Sequence, residues 1–418
     1  MADQKKELSY LRLDYQPLLK EEIIAIYYLQ PKEGVSFKEA AEKIAAESSI
    51  GTWTKLSNLS ATVFQKLAAR LFYLDEEKGI IKIAYPLALF EKGNIPQLLS
   101  SIAGNVFSMK EIKSLRLEDV LFPFNYLDSF LGPAFGWRGV RRVIGIEGSP
   151  VIIGSIMKPK VGLSSKENAE LAYQVFKNGV DFAKDDENLT DLANINPFQE
   201  RVRRVMELKK KAEKETGCLK LYAFNVTAPL SLMIERAKYV REQGGKCVMI
   251  DIVAVGWSAL QDFRNQNLGL IIHGHRAGHS AFTRSQKHGI SMKVIAKLAR
   301  LAGVDNLHTG TVIGKMEGEK KDVQEINKFL RSEWGNLKEV FPVASGGLHP
   351  ALVPGVISIL GTNLIMNFGG GLHGHPDGIT AGAQAVKAAF QAVTENISLE
   401  EKAQENPALK KALDYWSV

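Results

Sequence analysis

Lys158-Pro159-Lys160 sets two amines two residues apart. In an extended segment they share a face, and Pro159, which has no N–H for a central ladder, puts the pair at a strand end. Two ammonium groups held close repel, which lowers the pKa of one and suits it to proton transfer; two solvated loop lysines are the plainer alternative. Lys184-Asp185-Asp186-Glu187-Asn188 places three acids after a lysine. Such acids hold a hard divalent cation through oxygen, or sit at a solvated helix start. Lys184 forms a salt bridge with them as an ammonium; as a carbamate made with CO2 it becomes an anionic oxygen ligand that favours Mg2+. His273-Gly274-His275-Arg276-Ala277-Gly278-His279 follows. The His-x-His pair alone suggests zinc, which an all-oxygen site nearby disfavours, and Arg276 offers a planar fork for phosphate. His308-Thr309-Gly310-Thr311 leads into Gly314-Lys315-Met316-Glu317-Gly318, a glycine-flanked lysine suited to a lid that carries a cation over a substrate, or to an ordinary exposed loop. Ser345-Gly346-Gly347 and Gly369-Gly370-Gly371 expose backbone N–H groups, and a helix start behind them adds positive potential, so both suit phosphate. Together these features point to a sugar phosphate with two anionic ends, handled through an enediolate.

These groups need a scaffold that brings distant segments together. From about residue 150, eight short apolar runs alternate with amphipathic helical segments: 151–157, 180–184, 219–225, 248–251, 270–273, 306–308, 341–344 and 364–368. Ser164 and Glu167 cap a helix over 166–177 that Asn178-Gly179 closes; another runs over 198–215 and ends at Gly217. Eight strand–helix alternations predict a (β/α)8 TIM barrel, with a doubly wound sheet as the competitor. Each motif then falls at a strand's C-terminal end, where such barrels carry their chemistry.

The earlier part reads as a ferredoxin-like α+β domain, in the order β-α-β-β-α-β. Its strands are expected at 22–29, 70–74, 80–84 and 112–117. One helix follows Ser36 with a capping box to Glu39, a hairpin turns at 75–79, and another helix starts near Pro96. The segment 132–136 reads as a connector, giving domains 1–134 and 135–418.

The chain has 418 residues, is 45% hydrophobic and 24% charged, and contains two cysteines. That balance excludes intrinsic disorder, collagen and a disulfide scaffold. No apolar run is long enough for a transmembrane helix, and the charged start MADQKKELSY has no secretory h-region, so a cytoplasmic protein is expected. The formal charge of +7 suits an anionic partner or a solvated lysine-rich surface. No zinc-finger spacing, RNP-like motif or basic amphipathic block supports nucleic acid or membrane. All eight histidines lie between His273 and His375, closer than packing roles would scatter them.

The motifs also occur together in one family. The chain resembles the large subunit of ribulose-1,5-bisphosphate carboxylase/oxygenase (RuBisCO), most closely its archaeal-type form III. The resemblance rests on Glu47-Ser48-Ser49-Ile50-Gly51-Thr52-Trp53-Thr54, Gly104-Asn105-Val106-Phe107, KPKVGLS from Lys158, KDDEN from Lys184, HGHRAGHSAFTR from His273, HTGTVIGKMEGE from His308, PVASGGLHP from Pro342 and FGGGLHGHPDG from Phe368. It implies a carboxy-lyase that enolises ribulose-1,5-bisphosphate with Mg2+ and adds CO2 to give two 3-phosphoglycerates, with O2 as competing substrate. Lys184 would carry an activating CO2 as a carbamate, hold Mg2+ with Asp186 and Glu187, and take the C3 proton. Lys158 would protonate the product carbanion, with Lys160 depressing its pKa. Lys315 would close over the site and polarise CO2, and His275 would assist hydration. Arg276, His308 and Ser345 would bind one phosphate; Thr52, Trp53, Gly347, Gly369 and Gly370 would bind the other, and Gly346 would be a further substrate-binding residue. Glu47, pairing with Lys315, and Asn105 would come with Thr52 and Trp53 from a neighbouring subunit, which implies a homodimer, a possible decamer of dimers, and no small subunit. Form III implies a role in AMP and nucleoside salvage. Ile156, Gly278, Asn367 and Asp377 depart from the plant pattern in packing and supporting positions. The rival within the fold is the 2,3-diketo-5-methylthiopentyl-1-phosphate enolase of methionine salvage, which GGGLHGHPDG resembles locally. An amidohydrolase would carry its His-x-His on the first strand, and a silent scaffold would not need the full set of catalytic groups.

Overall fold

A computed structural model describes residues 9–416 except 53, 55, 147, 149, 150 and 315–319. Four strands come first: β1 (Glu22–Pro31), β2 (Arg70–Asp75), β3 (Ile80–Pro86) and β4 (Ile112–Leu121). Then follow β5 (Val151–Ile156), β6 (Phe182–Lys184), β7 (Leu221–Asn225), β8 (Cys247–Asp251) and β9 (Ile271–His275). The last are β10 (Gly289–Ile290), β11 (Asn306–His308), β12 (Phe341–Ser345) and β13 (Leu364–Phe368). The chain forms two compact units. One comprises residues 1–131, 278–301 and 334–337, and the other the remainder.

The first unit is a five-stranded sheet in the order β10-β4-β1-β3-β2. Its β4-β1-β3-β2 portion is antiparallel, as a ferredoxin-like sheet requires; β10 adds a short parallel edge that the sequence did not reveal. β1 is central, and Ile23, Ala25, Tyr27 and Leu29 are buried along it. The helix Phe37–Glu47 packs Ala40, Ala41, Ile44 and Ala45 inward. Ser36 caps it by accepting from the Glu39 N–H, which is one half of the expected box. A further helix, Ala61–Leu67, was not foreseen; Ser60 caps it.

In the second unit β5 to β9 and β11 to β13 close into a parallel eight-stranded barrel. Buried residues Ile152, Phe182, Leu221, Cys247, Met249, Ile271, Phe341, Val343 and Ile365 fill its core. The helix Ser165–Lys177 has the full Ser164–Glu167 capping box, and Phe198–Thr216 stops at Gly217 in the left-handed conformation. Gly136, in the segment read as connector, begins a helix, Gly136–Ile144, whose Val140 and Ile144 join the barrel core. Its φ of 62° and a Glu339 carbonyl 2.9 Å from where a Cβ would stand both call for glycine. Asp305 accepts from the N–H groups of Phe135 and Gly136. No described helix is long and apolar enough to cross a membrane.

Candidate active site

The barrel's strand ends carry two electrically different clusters. The first lies at β5 and β6. Lys184, the last residue of β6, is fully buried, and its Nζ donates to the Asp185 carbonyl at 2.8 Å and the Met249 Sδ at 3.2 Å. Burial pushes this amine down to about 8, against the opposing pull of Glu187, Asp186, Asp251 and Asp185.

The three adjacent acids have separate fates. Asp185 turns into the wall, where its carboxylate accepts from the Tyr222 hydroxyl at 2.7 Å, the Asn225 N–H at 2.9 Å and the Arg201 Nε at 3.3 Å. Asp186 accepts from Lys158 Nζ at 2.5 Å and from the Asn188 backbone and side-chain N–H groups. Burial opposes its ionisation, but the Lys158 ammonium outweighs that and holds the carboxyl at about 2. Glu187 accepts from Lys160 Nζ at 3.2 Å. Each lysine of the expected pair meets a carboxylate, and Glu187 raises Lys160. Among the described residues no three His, Cys, Asp or Glu side chains converge to hold a cation. Two carboxylates beside a buried lysine would fit a hard cation if a carbamate on the lysine amine supplied the third oxygen ligand.

The second cluster lies at β8, β9, β11 and β12. His275 Nδ1 is 2.9 Å from Asp251 Oδ1, and its Nε2 is 3.9 Å from Glu187. Burial, then the Lys184 charge, lowers this imidazole despite Asp251. His308 sits between His273, Nε2 to Nε2 at 2.8 Å, and Ser345, Nδ1 to Oγ at 2.8 Å. Arg276 has no hydrogen-bond acceptor among the described residues, and burial pushes its guanidinium down to about 10. It lies against Gly310, where a Cβ would stand 2.4 Å from Nη2, so a larger residue would displace the fork.

Gly346 and Gly347 have φ of 110° and 70°. At Gly369 a Cβ would meet Lys158 Cε at 3.3 Å, whereas Gly370 faces open space. The helix start expected behind the triplet is a single turn, Gly370–His373, too short for a large dipole. In the first unit, Asn105 Nδ2 donates to Glu47 Oε1 at 3.3 Å, and Thr52 is partly exposed nearby in sequence. Trp53 and Lys315 lie outside the described residues.

The histidines do not form one site. His273, His275 and His308 share the barrel mouth. His373 meets Ser155, His375 meets the Ala408 carbonyl, and His279 and His288 belong to the first unit. Sequence reasoning missed Asp251 and Asn225. The latter's amide donates to the Asp186 and Glu187 carbonyls and so holds the acidic turn. Both end barrel strands, β7 and β8, and inspection of those two strand exits would have found them.

A closed β/α barrel with anionic oxygens beside a buried lysine, and a cationic fork without an acceptor among the described residues a few strands away, has the makings of a metal-assisted enzyme for an anionic substrate. Residues 136–416 match the ribulose bisphosphate carboxylase large chain catalytic domain, and residues 9–126 match its N-terminal domain. The chain belongs to the RuBisCO large-chain family. It is 50% identical over 413 residues to the ribulose bisphosphate carboxylase of Pyrococcus abyssi, covering 98% of this chain and 96% of that one. It is 46% identical to that of Methanocaldococcus jannaschii, covering 98% and 100%. Among solved structures, the octameric Rubisco of Pyrococcus horikoshii, crystallised with sulfate, superposes with a TM-score of 0.93 at 48% identity, covering 98% and 96%. The dimeric archaeal Rubisco of Hyperthermus butylicus gives 0.91 at 44%, covering 98% and 99%.

Proposed function

We propose that this protein is a ribulose-1,5-bisphosphate carboxylase/oxygenase, which enolises its substrate and adds CO2 to yield two 3-phosphoglycerates, with O2 competing. The observation that carries the reading is Lys184: it is fully buried, bonded to no carboxylate among the described residues, and set beside Asp186 and Glu187. Lys184, Asp186 and Glu187 would hold Mg2+, with an activating CO2 bound to the lysine as a carbamate. When bound, the cation supplies Lewis acidity toward charge developing on the substrate oxygens.

The chain's own groups have assignable parts. Lys158 protonates the product carbanion, with Lys160 beside it, paired with Glu187. His275, oriented through Nδ1 by Asp251, is placed to move a proton at Nε2 during hydration. Arg276, with His308 and Ser345, takes one phosphate; Gly346, Gly347, Gly369 and Gly370 offer backbone N–H groups to the other. Lys315 closes over the site and polarises CO2. Glu47, Thr52, Trp53 and Asn105 complete the site from a second subunit, so the working unit is a homodimer whose domains divide near residue 134. The octameric and dimeric relatives support a homo-oligomer, and sedimentation would distinguish a dimer from an octamer or a decamer. Supply of substrate from AMP and other nucleoside monophosphates, in the cytoplasm, follows the form III resemblance. The methionine-salvage enolase reading is not favoured: relatives at 43–50% identity over nearly the whole chain are named as carboxylases.

The test is anaerobic incubation with Mg2+, 14C-bicarbonate and ribulose-1,5-bisphosphate. Mg2+-dependent acid-stable label in 3-phosphoglycerate is expected. Its absence from folded, carbamylated protein would overturn the carboxylase and bring the enolase forward.

A further inference from the structure

Inside the barrel a line of hydrogen bonds runs from a residue without an assigned role to the substrate side. Asn306 opens β11 and stands in register with His273 of β9. Both are fully buried. The Asn306 Nδ2 lies 3.4 Å from His273 Nδ1, and its Oδ1 has no partner among the described residues. Beyond it, His273 Nε2 faces His308 Nε2, and His308 Nδ1 faces the Ser345 hydroxyl, each at 2.8 Å. Burial drives both imidazoles well below their ordinary range, so each ring carries one proton. Two neutral rings meeting Nε2 to Nε2 share one proton: one donates and the other accepts. The direction of that bond fixes the rest of the line.

The amide N–H of Asn306 can only donate. His273 Nδ1 must accept it, which leaves the His273 proton on Nε2, where it donates to His308. The His308 proton is then on Nδ1 and donates to Ser345 Oγ. The hydroxyl, having accepted, keeps its own hydrogen for an outside acceptor. We propose that Asn306 is a positioning residue that, through His273 and His308, turns the Ser345 hydroxyl into a hydrogen-bond donor toward bound ribulose-1,5-bisphosphate. This rests on the substrate assignment above.

The direct test is 15N NMR of protein labelled at histidine, assigned with single His→Gln variants, in the absence of substrate. His273 is expected to be protonated at Nε2 and bare at Nδ1, and His308 the reverse. The opposite pair of tautomers in the unaltered protein would overturn the proposal whatever the enzyme's activity. Asn306→Asp, which accepts where asparagine donates, should invert both patterns; unchanged patterns in a folded variant would also overturn it. The functional readout is equilibrium dialysis of ribulose-1,5-bisphosphate against Mg2+-free protein. Ser345→Ala should weaken binding about tenfold, the scale of one hydrogen bond to a charged group. Asn306→Leu should weaken it by a similar or smaller factor, and should add nothing in the Ser345→Ala background. Additive losses would mean that Asn306 acts on the fold alone. No binding to the unaltered protein would count against the substrate assignment and leave the tautomer result standing.

Discussion

The strand ends of β5 and β6 and those of β9, β11 and β12 treat charge in opposite ways. At the first, Lys158 and Lys160 lie on Asp186 and Glu187, so the carboxylates are already matched within the protein. At the second, His273 and His308 are neutral and Arg276 has no acceptor among the described residues. A cation held by these carboxylates would have to compete with two ammonium groups. An anion entering the second displaces no partner of Arg276 among the described residues. One cluster exchanges partners; the other waits for one.

The largest expected effect breaks the first cluster. Lys184→Ala should reduce both carboxylation and C3 proton exchange to background, since it removes the proposed cation ligand and the proposed activation point together. Normal solvent exchange at C3 in that variant, followed by mass spectrometry, would contradict the role given to Lys184. Arg276→Ala, in the second cluster, should raise KM for ribulose-1,5-bisphosphate about 10- to 100-fold, the scale of a charged hydrogen-bonding contact. Arg276→Lys should recover only part of this, because an ammonium cannot reproduce the planar fork.

Asp185→Asn separates structure from chemistry within the acidic run. It leaves Arg201 buried without its carboxylate, a change that costs roughly 3–5 kcal/mol. Asp186→Asn should disturb stability less while abolishing activity; urea midpoints of the two variants make the comparison. The smallest effect concerns His373, which burial and then the Lys158 charge lower to about 4. An unfolded chain takes up this proton near pH 6.5, the folded protein only near 4, so stability is lost as pH falls between them. The slope is at most about 1.4 kcal/mol per pH unit for one group. His373→Gln should show a shallower loss than the unaltered protein in urea titrations at pH 7 and pH 5.

Local pattern made much of the architecture legible. The apolar runs at Val151–Ile156, Leu221–Asn225 and Leu364–Phe368 became strands because they are bounded by turn residues and buried on both faces. Ser164 and Glu167 fixed a helix start through bonds that span three residues. The short helix Ala61–Leu67 and the edge strand Gly289–Ile290 escaped, the one too brief to show a period and the other specified only by its distant partner β4.

The same division runs through the site. Residue type and spacing marked Lys158, Lys184, the acidic run after it, the His-x-His pair and Arg276 as candidates, because barrel strand ends follow from the chain's alternation of strand and helix; the choice of Asp186, Glu187 and His275 within them rested on the family resemblance. Sequence also placed three acids in a row, yet could not say that Asp185 would turn into the wall toward Arg201 and Tyr222 while its neighbours stayed with the lysines. Nor could it show that His308 would lie between His273 and Ser345, or that Asp251 would hold His275. Those facts depend on which strands become neighbours and in what register when the barrel closes. A hydrogen bond is decided by fractions of an ångström between groups far apart in the chain, and only the closed structure brings them within that distance.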